Sequence, residues 1–119
     1  MPNTIGWCDI PVKDLDRAIK FYSAALGQTV SKETFGEITF GLLPNAYNGV
    51  SGCLVLDEAQ PSPNGPMIYL NCEGRLEDAI AAVEKNGGKV LKPKHQIGSH
   101  GFRAVVLDSE GNRVALHSK

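Results

Sequence analysis

The chain has 119 residues, 42% hydrophobic and 21% charged, with a formal net charge of −1. That length has room for one core and no second domain, and without a basic excess to neutralise phosphates no nucleic-acid partner is expected. The longest apolar stretches are strand-sized, far short of the roughly 18 to 20 residues a membrane span needs.

The opening residues Met1-Pro2-Asn3-Thr4 carry neither the basic start nor the apolar core of a signal peptide, so the expected compartment is the cytoplasm, with no membrane contact. Residues 5–12 read as a strand that ends near Pro11, since proline removes a ladder donor. Asp14 is placed to cap a helix, and Leu15, Ala18, Ile19, Tyr22 and Leu26 recur at three- and four-residue steps, one buried helical face. Gly27 follows where a left-handed C-terminal residue is wanted. Three strand-like runs come next, near 28–34, 36–43 and 50–57, divided by Gly36 and by the turn-rich stretch 44–49.

Residues 58–66, with three prolines and a glycine, are the one linker-like stretch. After it the order repeats: a strand over 67–72, a second amphipathic face from Leu76, Ala79, Ile80 and Val83 ending at Asn86-Gly87-Gly88, and strands near 88–95, 101–107 and 112–118. The two halves superpose at an offset of 60 residues, the step from Gly27 to Gly87, which also carries Ile10 onto Leu70 and Trp7 onto Met67. The expected organisation is one domain over 1–119, with a first module at about 4–58, a linker at about 59–65 and a second module at about 66–119. A helix can cover only one face of its sheet, so the other faces must meet a twin or a ligand. The fold class is α+β, two tandem βαβββ modules around a shared cleft.

Cys8, Cys53 and Cys72 are odd in number, lack CxxC spacing and sit among strand-like residues. That is the pattern of buried free thiols, not of a disulfide framework or a zinc site.

Val12-Lys13-Asp14, then Arg17 through Phe21-Tyr22, then Leu26-Gly27, resemble the opening signature of the vicinal oxygen chelate superfamily, which includes glyoxalases, bleomycin-resistance proteins and dioxygenases. Asn86-Gly87-Gly88 and the run Asp108 to Leu116 resemble its second-half and closing signatures, so the likeness spans essentially the whole chain. The resemblance implies a metal site in the shared cleft, with one His, Gln or Glu ligand on the first and last strand of each half. The open metal positions would take substrate oxygens. In this chain those four positions fall on Trp7, Val55 (with Cys53 as its neighbour), Met67 and Ala115. Such a set cannot hold a hard divalent cation, so no metal or other cofactor is expected.

Strand parity offers a polar second layer: Asp9 follows Trp7, Tyr69 and Asn71 follow Met67, and Arg113 and His117 share a face with Ala115. Asp9 and His117 are a candidate acid-base pair, set against a His117 that is merely solvated near the end of a strand. His100, in the glycine-flanked turn 98–102, either sits on a loop over the cleft or is a surface residue. His95 reads as exposed. Arg113, on the face of Ala115 and His117, is placed to offer a bidentate fork to a carboxylate or phosphate, and Arg103 and Lys92 could serve similarly, each set against plain surface solvation. Trp7, Met67, Tyr69 and Phe102 would give the cleft an apolar wall.

Three functions stay open. The first is a metal-free small-molecule binding protein akin to the antibiotic-sequestering members. The second is a lyase, isomerase or dioxygenase-like enzyme, lactoylglutathione lyase-like in one form, working through Asp9 and His117 or through a displaced metal. The third is a structural module whose cleft is self-filled. Open edge strands and the resemblance both point to a homodimer.

Overall fold

The computed structural model describes residues 4–44, 49–57 and 59–119. The first half is built from β1 (Cys8–Val12), α1 (Leu15–Leu26), β2 (Ser31–Phe35), β3 (Ile38–Leu42) and β4 (Gly52–Leu56). The second contains β5 (Ile68–Asn71), α2 (Leu76–Lys85), β6 (Lys89–Gln96), a single 3-10 turn at Gly98–His100, β7 (Phe102–Leu107) and β8 (Arg113–Ser118). Each half folds one four-stranded sheet, ordered β1-β4-β3-β2 and β5-β8-β7-β6. In both, the first and last strands run parallel and the hairpins antiparallel. This is the expected α+β plan of two βαβββ halves.

α1 forms where the sequence places it because its start and stop are both chemically marked. The Asp14 side chain accepts a hydrogen bond from the Arg17 backbone N–H, and Gly27 closes the helix at φ 69°. Its face Ala18, Phe21, Tyr22 and Ala25 is buried, and Leu76, Ala79 and Val83 do the same for α2. These faces, with Ile10, Val12 and Leu54 from the first sheet and Leu70, Val106 and Leu116 from the second, make one apolar cluster. Each helix lies on its own sheet, and the helices pack on each other.

Several expected boundaries shift. β1 begins at Cys8, not Ile5, because the ladder with β4 begins at the Cys8 and Gly52 pair. The 60-residue offset carries β1 onto β5 and α1 onto α2 but fails at the last hairpin. There 15 residues separate Phe40 from its partner Val55, against 10 between Val105 and Ala115. The expected turn at 44–49 falls largely outside the described residues, as does Glu58 of the linker. Among the described residues no helix is long and apolar enough to cross a membrane.

The halves are joined by the turn between β7 and β8. Glu110 accepts from the backbone N–H groups of Lys13 and Asp14, each at 2.8 Å, and from the Arg17 guanidinium at 2.7 and 2.8 Å. Tyr22 Oη donates to Asp108 Oδ2 at 2.6 Å, and Asn112 Nδ2 donates to the Pro11 carbonyl at 2.8 Å. Arg75 returns the contact by donating to the Ala25 carbonyl at the end of α1. The closing motif, read for its metal position, is therefore a bracket across the halves.

Candidate functional site

With a helix on one face of each sheet, the other face is left for function. β1 and β5 are edge strands that flank one cleft of about 810 Å³. Ile10, Leu26, Leu43 and Ile68 make its apolar part, and Gln28 and Arg75 stand among its polar groups. Of the site residues expected from sequence, only Tyr69 and Asn71 line it.

On the uncovered face of the first sheet, Cys53 Sγ donates to Asp9 Oδ1 at 3.3 Å. Burial pushes the Cys53 thiol up and Asp9 adds to this, while a hydrogen bond with Trp7 opposes it. Burial also raises the thiols of Cys8 and Cys72. All three cysteines are free, and a raised thiol is the opposite of an activated nucleophile. Val55, Phe40 and Leu42 share this face by ladder register, and Trp7 beside it is half-exposed.

The uncovered face of the second sheet is polar. The ladders set Tyr69 beside Ala115, Asn71 beside His117, and His117 beside Arg103. Arg103 Nε donates to His95 Nε2 at 3.0 Å, and Arg103 Nη1 donates to the Tyr69 hydroxyl. A carbonyl can only accept, so the 2.9 Å contact of His95 Nδ1 with the Pro93 oxygen puts the ring proton on Nδ1. By the same logic His117 Nε2, 2.7 Å from the His100 carbonyl oxygen, carries a proton. The His117 and Tyr69 rings meet edge to face at 6.1 Å between centroids. Arg113 donates through Nη2 to the Gly65 carbonyl at 3.1 Å, while its buried Nε has no partner among the described residues.

Asp9 and His117 thus stand on different sheets, Asp9 engaged by Cys53 and His117 by His100 and Tyr69. Asn71 uses its side-chain oxygen to cap the Glu73 N–H at 2.9 Å. Phe102 departs from the expected wall: its register with Ser118 sets it among Ala104 and Val106, so its ring packs on the α2 side of the core. His95, expected to be simply exposed, is half-buried as the acceptor that fixes Arg103. Alternation does not reveal this role, because β6 changes register between Val90 and Lys92 and again between Lys92 and His95, which breaks the parity. Pro93 inside an edge strand is the signal that would have flagged that irregularity.

The four positions where the resemblance puts metal ligands do not fit an ion. Trp7, Val55, Met67 and Ala115 offer no imidazole, carboxylate or thiolate, Ala115 is fully buried, and Cys53, which the ladder sets beside Asp9 as Ala115 is set beside Tyr69, is a buried thiol engaged with Asp9. Among the described residues no three His, Cys, Asp or Glu side chains gather closely enough to hold a metal ion.

Comparisons with known proteins agree with this fold. The chain is 32% identical over 119 residues to a glyoxylase-like domain-containing protein of Didymella fabae, covering 94% of this chain and 91% of that protein. Its fold is similar to that of a glyoxalase/bleomycin resistance protein from Albidiferax ferrireducens T118, with a TM-score of 0.75 at 18% identity over 98% of this chain and 99% of that one. It is also similar to a glyoxalase/bleomycin resistance protein/dioxygenase family enzyme from Burkholderia phytofirmans PsJN, with a TM-score of 0.73 at 16% identity over 95% and 96% of the two chains. The sequence profile of one family matches residues 4–116, and on that match the chain belongs to the Glyoxalase/Bleomycin resistance protein/Dioxygenase superfamily.

Proposed function

We propose that this chain is a small-molecule binding member of the superfamily that works without the family's divalent ion. One observation carries the reading: all four expected ligand positions, two in each half, hold side chains with no donor for a hard cation. The uncovered faces still supply what a small ligand needs, apolar surface beside Trp7 and Phe40 and convergent polar groups around Tyr69. Two copies pair as a homodimer, covering the open edges of β1 and β5, and the protein acts in the cytoplasm.

Native mass spectrometry of the purified protein, together with elemental analysis, tests this. The expected result is a dimer carrying a small organic molecule and no stoichiometric metal. A tightly held divalent ion that chelators remove would overturn the reading, and a monomer by light scattering would remove the dimer from it. A second reading, a lyase or isomerase, draws on His117: with Nε2 held by the His100 carbonyl, Nδ1 is the ring nitrogen left for proton transfer. Turnover of the molecule recovered, abolished in His117→Ala, is the result that selects it.

A further inference from the structure

The guanidinium of Arg103 is fixed on two sides and open on the third. His95, locked as the acceptor tautomer by the Pro93 carbonyl, accepts a hydrogen bond from Nε, and the Tyr69 hydroxyl accepts one from Nη1. Neither neighbour carries negative charge. Among the described residues the ion pairs are Arg17 with Glu110, Lys32 with Asp16 and Lys94 with Glu77, so no carboxylate neutralises Arg103. Glu73 is taken up by the Lys119 N–H and the Ser118 hydroxyl.

A half-buried arginine held by two neutral acceptors keeps its whole charge, together with both Nη2 protons and one Nη1 proton. That free edge is the planar fork that matches two oxygens of an anion. Tyr69, in accepting from Arg103, leaves its own O–H to donate to the same guest, and Arg113 adds a second positive charge to this face without an acidic partner. We propose that Arg103, clamped between His95 and Tyr69, anchors the ligand through a carboxylate or phosphate-type oxyanion. This rests on the small-molecule reading above and adds the chemical class of the ligand.

Calorimetric titration of the intact protein with benzoate, phenylphosphonate and benzamide, at low and at raised salt, is the test. Benzoate or phenylphosphonate binds, more weakly as salt rises, and whichever binds better identifies the oxyanion. Benzamide, isosteric but neutral, binds at least about tenfold more weakly. Arg103→Gln reduces anion affinity by about ten- to a hundredfold, and Arg103→Lys falls between, keeping the charge but not the fork. Lys85→Gln, the same change of charge on an exposed helix position, leaves affinity within about twofold. Circular dichroism and melting confirm that each variant folds, and Tyr69→Phe, which keeps the ring and loses the clamp, gives a second, smaller loss.

Benzamide binding as well as benzoate, an Arg103→Gln variant that folds and binds anions unchanged, or no binding of either anion would overturn the proposal. The broader reading would fall on a bound metal in the native protein and not on a failure to bind these anions, so the two can fail separately.

Discussion

At the scale of single residues the largest consequences lie at the turn that joins the halves. Asp108 is buried and fully used: Oδ1 accepts the N–H groups of Glu110 and Asn112, while Oδ2 accepts the Tyr22 hydroxyl and the Asn112 side chain. Burial, then the Asp108 charge, holds the Tyr22 phenol well above its ordinary range, so it is a permanent donor. Tyr22→Phe removes one charge-assisted bond among four and is expected to cost about 1 to 2 kcal/mol. Asp108→Ala strands three or more donors in the interior, and about 3 kcal/mol or more should be lost in urea unfolding. Similar losses in the two variants would mean that the network is not shared in this way.

Glu110 makes this turn sensitive to acid. Burial alone would raise its carboxyl, but the Arg17 and Ser109 side chains and the N–H groups of Asp14 and Lys13 outweigh it and hold the group down to about 2. A carboxyl lower in the folded chain than in the unfolded one contributes stability above its ordinary value near 4.5, and that stability is lost as pH falls toward about 2. Arg17 is half exposed and screened by water, so the contribution is about 2 kcal/mol at most. Unfolding free energy measured against pH should therefore fall across that window in the native chain. Glu110→Gln should flatten the decline and be less stable at neutral pH, and an unchanged acid limb would rule the mechanism out.

At the scale of elements, legibility followed how local the cause is. α1 is recovered to the residue because cap, periodicity and stop all lie within its own sequence, whereas the start of β1 depends on where β4 begins, which no local pattern states. The faces of Asp9, Tyr69 and His117 follow from alternation. The Arg103, His95 and Tyr69 cluster does not, since it joins three strands across an irregular β6. Two glycines extend the argument about helix ends. Gly27 has φ 69°, and a Cβ there would lie 2.7 Å from the Arg75 guanidinium, a flexible neighbour. Gly88 has an ordinary φ, but its Cβ would lie 2.5 Å from the Leu107 carbonyl oxygen and 2.6 Å from the Phe21 ring. Gly27→Ala should cost about 1 to 2 kcal/mol through backbone strain. Gly88→Ala should cost more, because backbone and core must both shift. Thermal melts of the two variants in that order would support this, and the reverse order would not.

At the scale of the whole molecule, the repeat invites the idea of two independent units, and the packing argues against it. Among the described residues the sheets share no ladder, yet α1 lies on α2, one apolar cluster draws from both halves, and the bracket at residues 108–112 seals the entrance to α1 with groups from β8's side of the chain. Separating the halves would expose the buried faces of both helices and leave Glu110 without its donors, so the halves are expected to unfold together. Trp7, the single tryptophan, stands beside the first sheet next to Cys53, while far-ultraviolet dichroism reports both helices. Followed by these two signals, denaturant unfolding should give coincident midpoints and slopes, the mark of one cooperative transition. Glu110→Ala should move both curves together to lower denaturant. A tryptophan transition that separates from the dichroism curve, or that stays in place in the variant, would show that the halves hold themselves up and that the bracket only tethers them.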